Sequence, residues 1–365
     1  MNARQTDFLE KIETLRHVMT EESLGAIVIT EQPNFSWLTG GRGFIGLASE
    51  TACASICVTH EKVYLIANNI EIHRLLDEEL ADLKDLFIPI DFAWWDDAKR
   101  NKQLSAIIGD LRWETDGALK KEMIALRGAL TPCANSDYRT SGRDSAEVVE
   151  KSIRTITPGM TEFELAGKVS AGLWERGLEP ATIMVAFDDR ISRYRHPLPT
   201  MNTLKHIAMV VVCTRYHGLW VSLSRLAALG GIPDDLKNRH QAVTEVDATM
   251  ILATRPGKPL NEIFAAGMAA YARFGFPEEW KLHHQGGTTA YQARENRVLP
   301  DCHDLVTLNQ AYAWNPSIRG TKSEDTFIVT ESCNEIITHT GQYAYMDATC
   351  NSQTLQRPDI LILNN

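Results

Sequence analysis

The stretch YHGLWVSLSRLAALG, residues 216–230, alternates apolar and small residues between two glycines and carries one charged side chain, Arg225. Its period of two predicts an arm of a β-hairpin, with Gly218 in the turn and HIAMVVVCT (206–214) as the other arm. No Asp or Glu occurs between Lys205 and Ile232. The arm instead carries two serines, Ser222 and Ser224, on one face.

The rest of the composition bounds the setting. The chain has 365 residues and is 44% hydrophobic, enough for two buried cores. Lys and Arg number 37 against 47 Asp and Glu, spread along the chain for a net −10. That balance excludes nucleic acid and anionic membrane as main partners, because both reward clustered cations. No apolar run approaches the roughly 20 residues that span a bilayer. The opening MNARQTDFLEKIETLRHVM reads as an amphipathic helix rather than a signal peptide. Seven scattered cysteines, with no C-x-x-C pair, read as reduced thiols. A cytoplasmic protein is expected.

Residues 1–110 alternate helix and strand. Phe8, Leu9, Ile12, Leu15 and Met19 form one stripe of a helix over 6–20, followed by the strand AIVIT (26–30). ACASICVT (52–59) and KVYLIA (62–67) read as a hairpin, and LFIPI (86–90) as a strand between helices over 70–82 and 101–108. The loop DFAWWDDAKRNK (91–102) carries two tryptophans suited to packing on a neighbour. From 118 to 178 helical spacing dominates, with Thr161 and Glu164 forming a capping box after Pro158-Gly159. Further helices are expected over 233–250 and 260–274, and strands within 305–331.

Five segments fall in the order seen in one family. NFSWLTGG (34–41), ITPGMTEFELA (156–166), RYRHPLPTMNTL (193–204), HHQGG (283–287) and WNPSIRGTKSEDTFIVTE (314–331) resemble landmarks of the creatinase, aminopeptidase P and prolidase family. The resemblance implies an α+β chain: a small creatinase-type α/β domain over 1–115 and a pita-bread domain over 116–365. It also implies a homodimer.

Metallopeptidases of that family hold two divalent ions with two Asp, one His and two Glu. Carried onto this sequence, those ligands fall near Val211 (or Cys213), on Ser222, His284, Asn315 and Glu324. Two divalent ions put four positive charges within roughly 4 Å of each other, and bridging carboxylates must neutralise them. With one carboxylate and one imidazole left, no metal and no other cofactor are expected.

Creatinase, which resembles this family in fold but works without metal, implies His196 as general acid/base and retains Glu324, while Ser224 departs from its pattern. His196, His284 and Glu324 are thus the candidate catalytic set. Arg225, Arg294 and Arg42 are candidates for a substrate carboxylate; Ser222, Tyr291, Trp314 and Asn315 are candidate pocket lining. Arg42 lies in GGRGF (40–44), a loop that in creatinase-like dimers reaches the partner's site. The function expected is metal-independent attack, by hydrolysis or elimination, on a C–N bond of a small polar nitrogen-containing substrate. Two alternatives are a catalytically silent binding scaffold and an atypical mononuclear-metal peptidase acting on Xaa-Pro bonds. No serine nucleophile elbow, G-x-S-x-G, is present.

Overall fold

The computed structural model describes residues 1–350 and 352–364. The chain divides into two compact units, Met1–Cys133 and the remainder from Ala134, against a sequence boundary drawn at 115/116. The helix Lys120–Gly128 falls in the first unit because Arg127, buried within it, donates to the Asn34 side chain.

In the first unit the strands run, across the sheet, Ile88–Phe92, Val63–Asn68, Thr51–Thr59, Ala26–Glu31 and Trp113–Thr115. The predicted 52–67 hairpin is there, antiparallel from Ala54↔Ala67 to Val58↔Val63. The helix Ala3–Glu21 starts at a capping box on Asn2 and buries Phe8, Ile12, Leu15 and Met19, while Leu9 is only half-buried. The helix expected over 70–82 is instead a short turn, Ile72–Arg74, running into a π-turn at Leu75–Glu79. That geometry lets Glu79 hold two arginines, Arg42 and Arg74. Trp94 and Trp95 stand edge to face and exposed.

The second unit is built on the acid-free hairpin, Ile207–Tyr216 and Leu219–Leu229. His217 (φ 48°) and Gly218 (φ 84°) both take left-handed backbone, so a two-residue turn of the I′ kind closes it. Glu179–Phe187, a strand the pattern reading does not include, pairs along the outer side of Ile207–Tyr216, and Leu361–Leu363 pairs along the other arm. The capping box forms as expected: Glu164 N–H donates to Thr161 Oγ1 at 3.2 Å, and Thr161 N–H donates to the Glu164 carboxylate at 2.6 Å.

A second sheet runs Asn296–Arg297, Gly286–Thr289, Ala311–Trp314, Asp325–Val329 and Asn334–Ile336. It is stitched to the hairpin. Ser224 N–H donates to Glu324 O (3.0 Å), and Thr326 Oγ1 both accepts from Ser222 N–H (2.8 Å) and donates to Ser222 O (2.9 Å). Helices Asp234–Ala253 and Leu260–Arg273 cover the second sheet with an apolar core that includes Val246, Ile263, Tyr312, Trp314 and Phe327.

Because Arg225 follows Ser224 in a strand, its side chain leaves from the opposite face. It is fully buried, donating to Glu150 (3.0 Å), Asp325 (3.0 Å), Ser224 O (2.9 Å) and Thr338 O (2.7 Å). Arg225 is therefore a structural ion-pair partner, a correction to its expected substrate contact. Removing one member of a buried ion pair strands the others. Arg225→Ala should lower unfolding stability by about 3–5 kcal/mol, read from urea midpoints. A loss under about 1 kcal/mol would show that water or a rearranged partner satisfies Glu150 and Asp325.

Candidate active site

Glu324 lies where the stitched sheets meet. The hairpin register pairs Cys213 with Ser222 and Val211 with Ser224, and Ser222 Oγ donates to Cys213 Sγ at 3.3 Å. Of the two residues considered for the first ligand position, Cys213 is the one that faces Ser222 directly. Ser224 Oγ donates to Glu324 Oε2 at 2.8 Å. Lys322 Nζ lies 3.0 Å from the same oxygen, and Arg294 Nη2 lies 3.0 Å from Oε1. Arg294 Nη1 also donates to Ser222 Oγ at 3.2 Å. Burial by itself would raise the Glu324 carboxyl, but Lys322, then Arg294, then the Ser224 hydroxyl hold it down at about 2.

Three histidines stand beside this ion triad. The ring nitrogens offered by His196, His283 and His284 lie within 4.8 Å of one another, and His283 Nε2 is 3.0 Å from His196 Nε2. His283 and His284 stack at 4.5 Å between centroids. Burial and Lys322 push His283 down to about 2, with the other two imidazoles adding to the effect; burial, Arg294 and Lys322 push His284 down to about 4. Burial and Lys322 lower His196 as well. All three are neutral at pH 7. The exposed Arg297 acts in the same direction on His196 and His284.

The local sequence explains how the histidines are held. Gln285, buried, donates to His283 O (2.6 Å) and accepts from Tyr271 (3.0 Å), fixing the backbone that carries the pair. Gly286 and Gly287 take φ +101° and +152°, and a Cβ would stand 2.1 Å from Ala313 O and 2.0 Å from Asn296 O. The glycines in HHQGG thus serve close strand-to-strand approach. Arg195 ties the His196 loop down through Ser317 (3.0 Å) and Glu279.

Of the predicted residues, the structure gathers His196, His284, Glu324, Arg294 and Ser222. Asn315 N–H donates to Gln285 O (3.1 Å), and its buried Oδ1 has no partner among the described residues. Tyr291 is buried; its N–H and that of Gln292 donate to Glu295, which shapes the loop carrying Arg294. Trp314 is a correction: it is fully buried in the apolar core, with its indole N–H on Thr254 Oγ1 at 2.9 Å. Its position in a strand covered by helices gives it no open face. Arg42 is held by Glu79 within the first unit, at 2.7 Å.

Lys322 is the residue that sequence reasoning missed. Lys322 ends the short strand Thr321–Lys322 and meets Glu324 two residues on, just before the strand Asp325–Val329. A cavity of about 410 Å³ in the same unit, lined by Asp188, His206, Ile232, Leu236 and Arg239 among others, shares no residue with the cluster.

The model of metallopeptidase family M24 matches residues 136–331, more than half of the chain. The chain belongs to that family. It is 22% identical to a Xaa-Pro dipeptidase of Pyrococcus horikoshii over 362 residues, covering 91% of this chain and 97% of that one. In structure it is similar to the prolidase from Pyrococcus horikoshii (TM-score 0.75, 18% identity, 90% and 98% of the two chains) and to a Xaa-Pro dipeptidase from Bacillus anthracis (0.74, 17%, 98% and 100%). The fold is the pita-bread fold, as the motifs implied.

The family implies metal, and the residues at its ligand positions do not fit two ions. Ser222 and Asn315 are neutral, and the one acid, Glu324, has both oxygens engaged by Lys322 and Arg294. Filling that place with divalent cations would set them against two fixed positive groups.

The neutral imidazoles make acid a test of the site. Below about pH 6.5 histidines in the unfolded chain bind protons, while His283 and His284 refuse them until about pH 2 and 4. The unfolded state therefore binds more protons, and stability falls as pH falls through this window. In chelator-treated buffer the melting temperature should drop from pH 7 to 5, and His283→Gln should make that drop shallower. Equal slopes for the two proteins would contradict a neutral buried His283.

Proposed function

We propose that this M24 member is a metal-independent hydrolase acting at a C–N bond of a small, polar, nitrogen-containing substrate. One observation carries the reading: a carboxylate held between Lys322 and Arg294, beside imidazoles that are neutral at pH 7. Two fixed cations against one carboxylate leave a net positive pocket, suited to an oxyanion or a substrate carboxylate. Arg294 Nε–H has no acceptor among the described residues and is a donor for such a group. Neutral His196 accepts the proton of attacking water and returns it to the leaving nitrogen. Elimination at the same bond would use the same proton acceptor on a carbon-bound proton.

The test is a screen of small amides, ureas, amidines and Xaa-Pro dipeptides, followed by chelation and mutation. Turnover should survive a chelator, and His196→Ala should lose about 10²–10⁴-fold in rate at an unchanged melting temperature. Turnover abolished by chelation and restored by metal would overturn metal independence, and on an Xaa-Pro dipeptide it would favour a peptidase. A wild-type rate in His196→Ala would remove that residue's role. No turnover or small-molecule binding, with a protein partner co-purifying, would favour the binding scaffold.

The working form we propose is a homodimer in which the Arg42 loop of one subunit contributes to the pocket of the other. The resemblance to creatinase-like dimers supports this, and the Arg42 side chain is half-exposed despite its pairing with Glu79. Sedimentation should give a dimer at micromolar concentration. A monomer at that concentration, retaining full activity, would contradict it.

A further inference from the structure

Besides its place in the reaction, the histidine cluster has the makings of a site of its own. Three imidazoles from two distant segments bring their nitrogens within 4.8 Å. His283 and His196 meet nitrogen to nitrogen at 3.0 Å, where two neutral rings can share only one proton. His283 is 8% exposed, and Nδ1 of His283 and of His284 has no partner among the described residues.

We propose that His196, His283 and His284 form a single-ion site for a borderline transition metal of the Zn²⁺, Co²⁺ or Ni²⁺ class. Imidazole nitrogen suits these ions, whereas Mg²⁺ and Ca²⁺ prefer oxygen. Tetrahedral bonds of about 2.0–2.1 Å place ligand nitrogens about 3.4 Å apart. The His196–His283 pair is already near that separation, and modest ring shifts close the cluster. Lys322 opposes the ion's charge as it opposes a proton on these rings, so the open fourth position takes an anion, hydroxide or a carboxylate, that offsets it. This site shares His284 with the family's ligand pattern but uses neither Glu324 nor a second ion.

One consequence rests on the proposed function: an ion on His196 occupies the lone pair that accepts the proton, so the metal inhibits. Occupancy itself does not depend on that reading, and it can be measured without substrate.

The full chain, stripped with chelator and titrated with Co²⁺ alone at pH 7.5, should bind one ion with the strong visible absorption of low-coordinate cobalt. Zn²⁺ should displace it. His196→Gln and His283→Gln should each weaken Co²⁺ binding by at least about 100-fold, while His206→Gln, at an exposed histidine outside the cluster, should leave it unchanged. Because His196 is itself exposed, its variant keeps the test informative even if His283→Gln fails to fold. No saturable binding, or binding indifferent to His196→Gln, overturns the site. So does equal loss in Glu324→Gln and His284→Gln with His196→Gln silent, which would point to the family-type pair of His284 and Glu324. Turnover that persists in chelator and falls as Co²⁺ fills the site supports both readings. Turnover that needs the ion keeps the site and overturns metal independence.

Discussion

Two consecutive carboxylates, Glu324 and Asp325, set the second unit's architecture, because strand alternation sends them to opposite sides and each meets two cations. Glu324 lies between Lys322 and Arg294; Asp325 lies between Arg225 and Arg357, at 3.0 and 2.7 Å. A charge this deeply buried is tolerable only when paired and hydrogen-bonded. The requirement extends outward from Asp325. Arg357 also binds Asp247 (2.6 Å), and Arg225 binds Glu150, so the pairing links the second sheet, the hairpin, two helices and the C-terminal strands. Three carboxylates then share two guanidiniums, and burial pushes the Asp247 carboxyl up to about 6.

On the other side the same pairing occupies the site of the proposed chemistry. The pattern of the family calls for acids to hold exogenous cations, and here the chain supplies its own. An ammonium and a guanidinium cannot polarise a substrate by coordination as a metal does, but they can stabilise developing negative charge by hydrogen bonds in a water-poor site. Their field also accounts for the neutral histidines, since a protonated imidazole next to Lys322 would add like charge to a buried site. Burial and Lys322 lower the His196 imidazole below its ordinary range, a condition set by its surroundings rather than by His196 itself.

The sequence exposed the parts of this arrangement that follow from period and local chemistry. The capping box at Thr161, the hairpin, the acid-free span from Lys205 to Ile232 and the five ordered motifs were all legible, and they fixed the fold class. Arg225 could have been placed by the same logic, since one residue after Ser224 in a strand must face away from it. Lys322 was legible too, two residues before Glu324, though an exposed-looking lysine in TKSED gives no sign of its burial. Trp314 misled because an aromatic near a motif looks the same in a pocket wall and in a core.

What the sequence determined by itself was the family fold and the absence of most metal-binding acids, because both are properties of residue type and order. Only the tertiary structure decided what took their place. That Cys213 faces Ser222, that Arg294 reaches Glu324 across thirty residues, and that His196 meets His283 across eighty-seven depend on how two sheets are stitched and two loops pinned. Long-range pairings of charge and lone pair leave no periodicity in a chain, since each partner satisfies its local pattern equally well without the other. The charge state of the site belongs to the same category: burial and neighbours created it, and neither is written at the position that titrates.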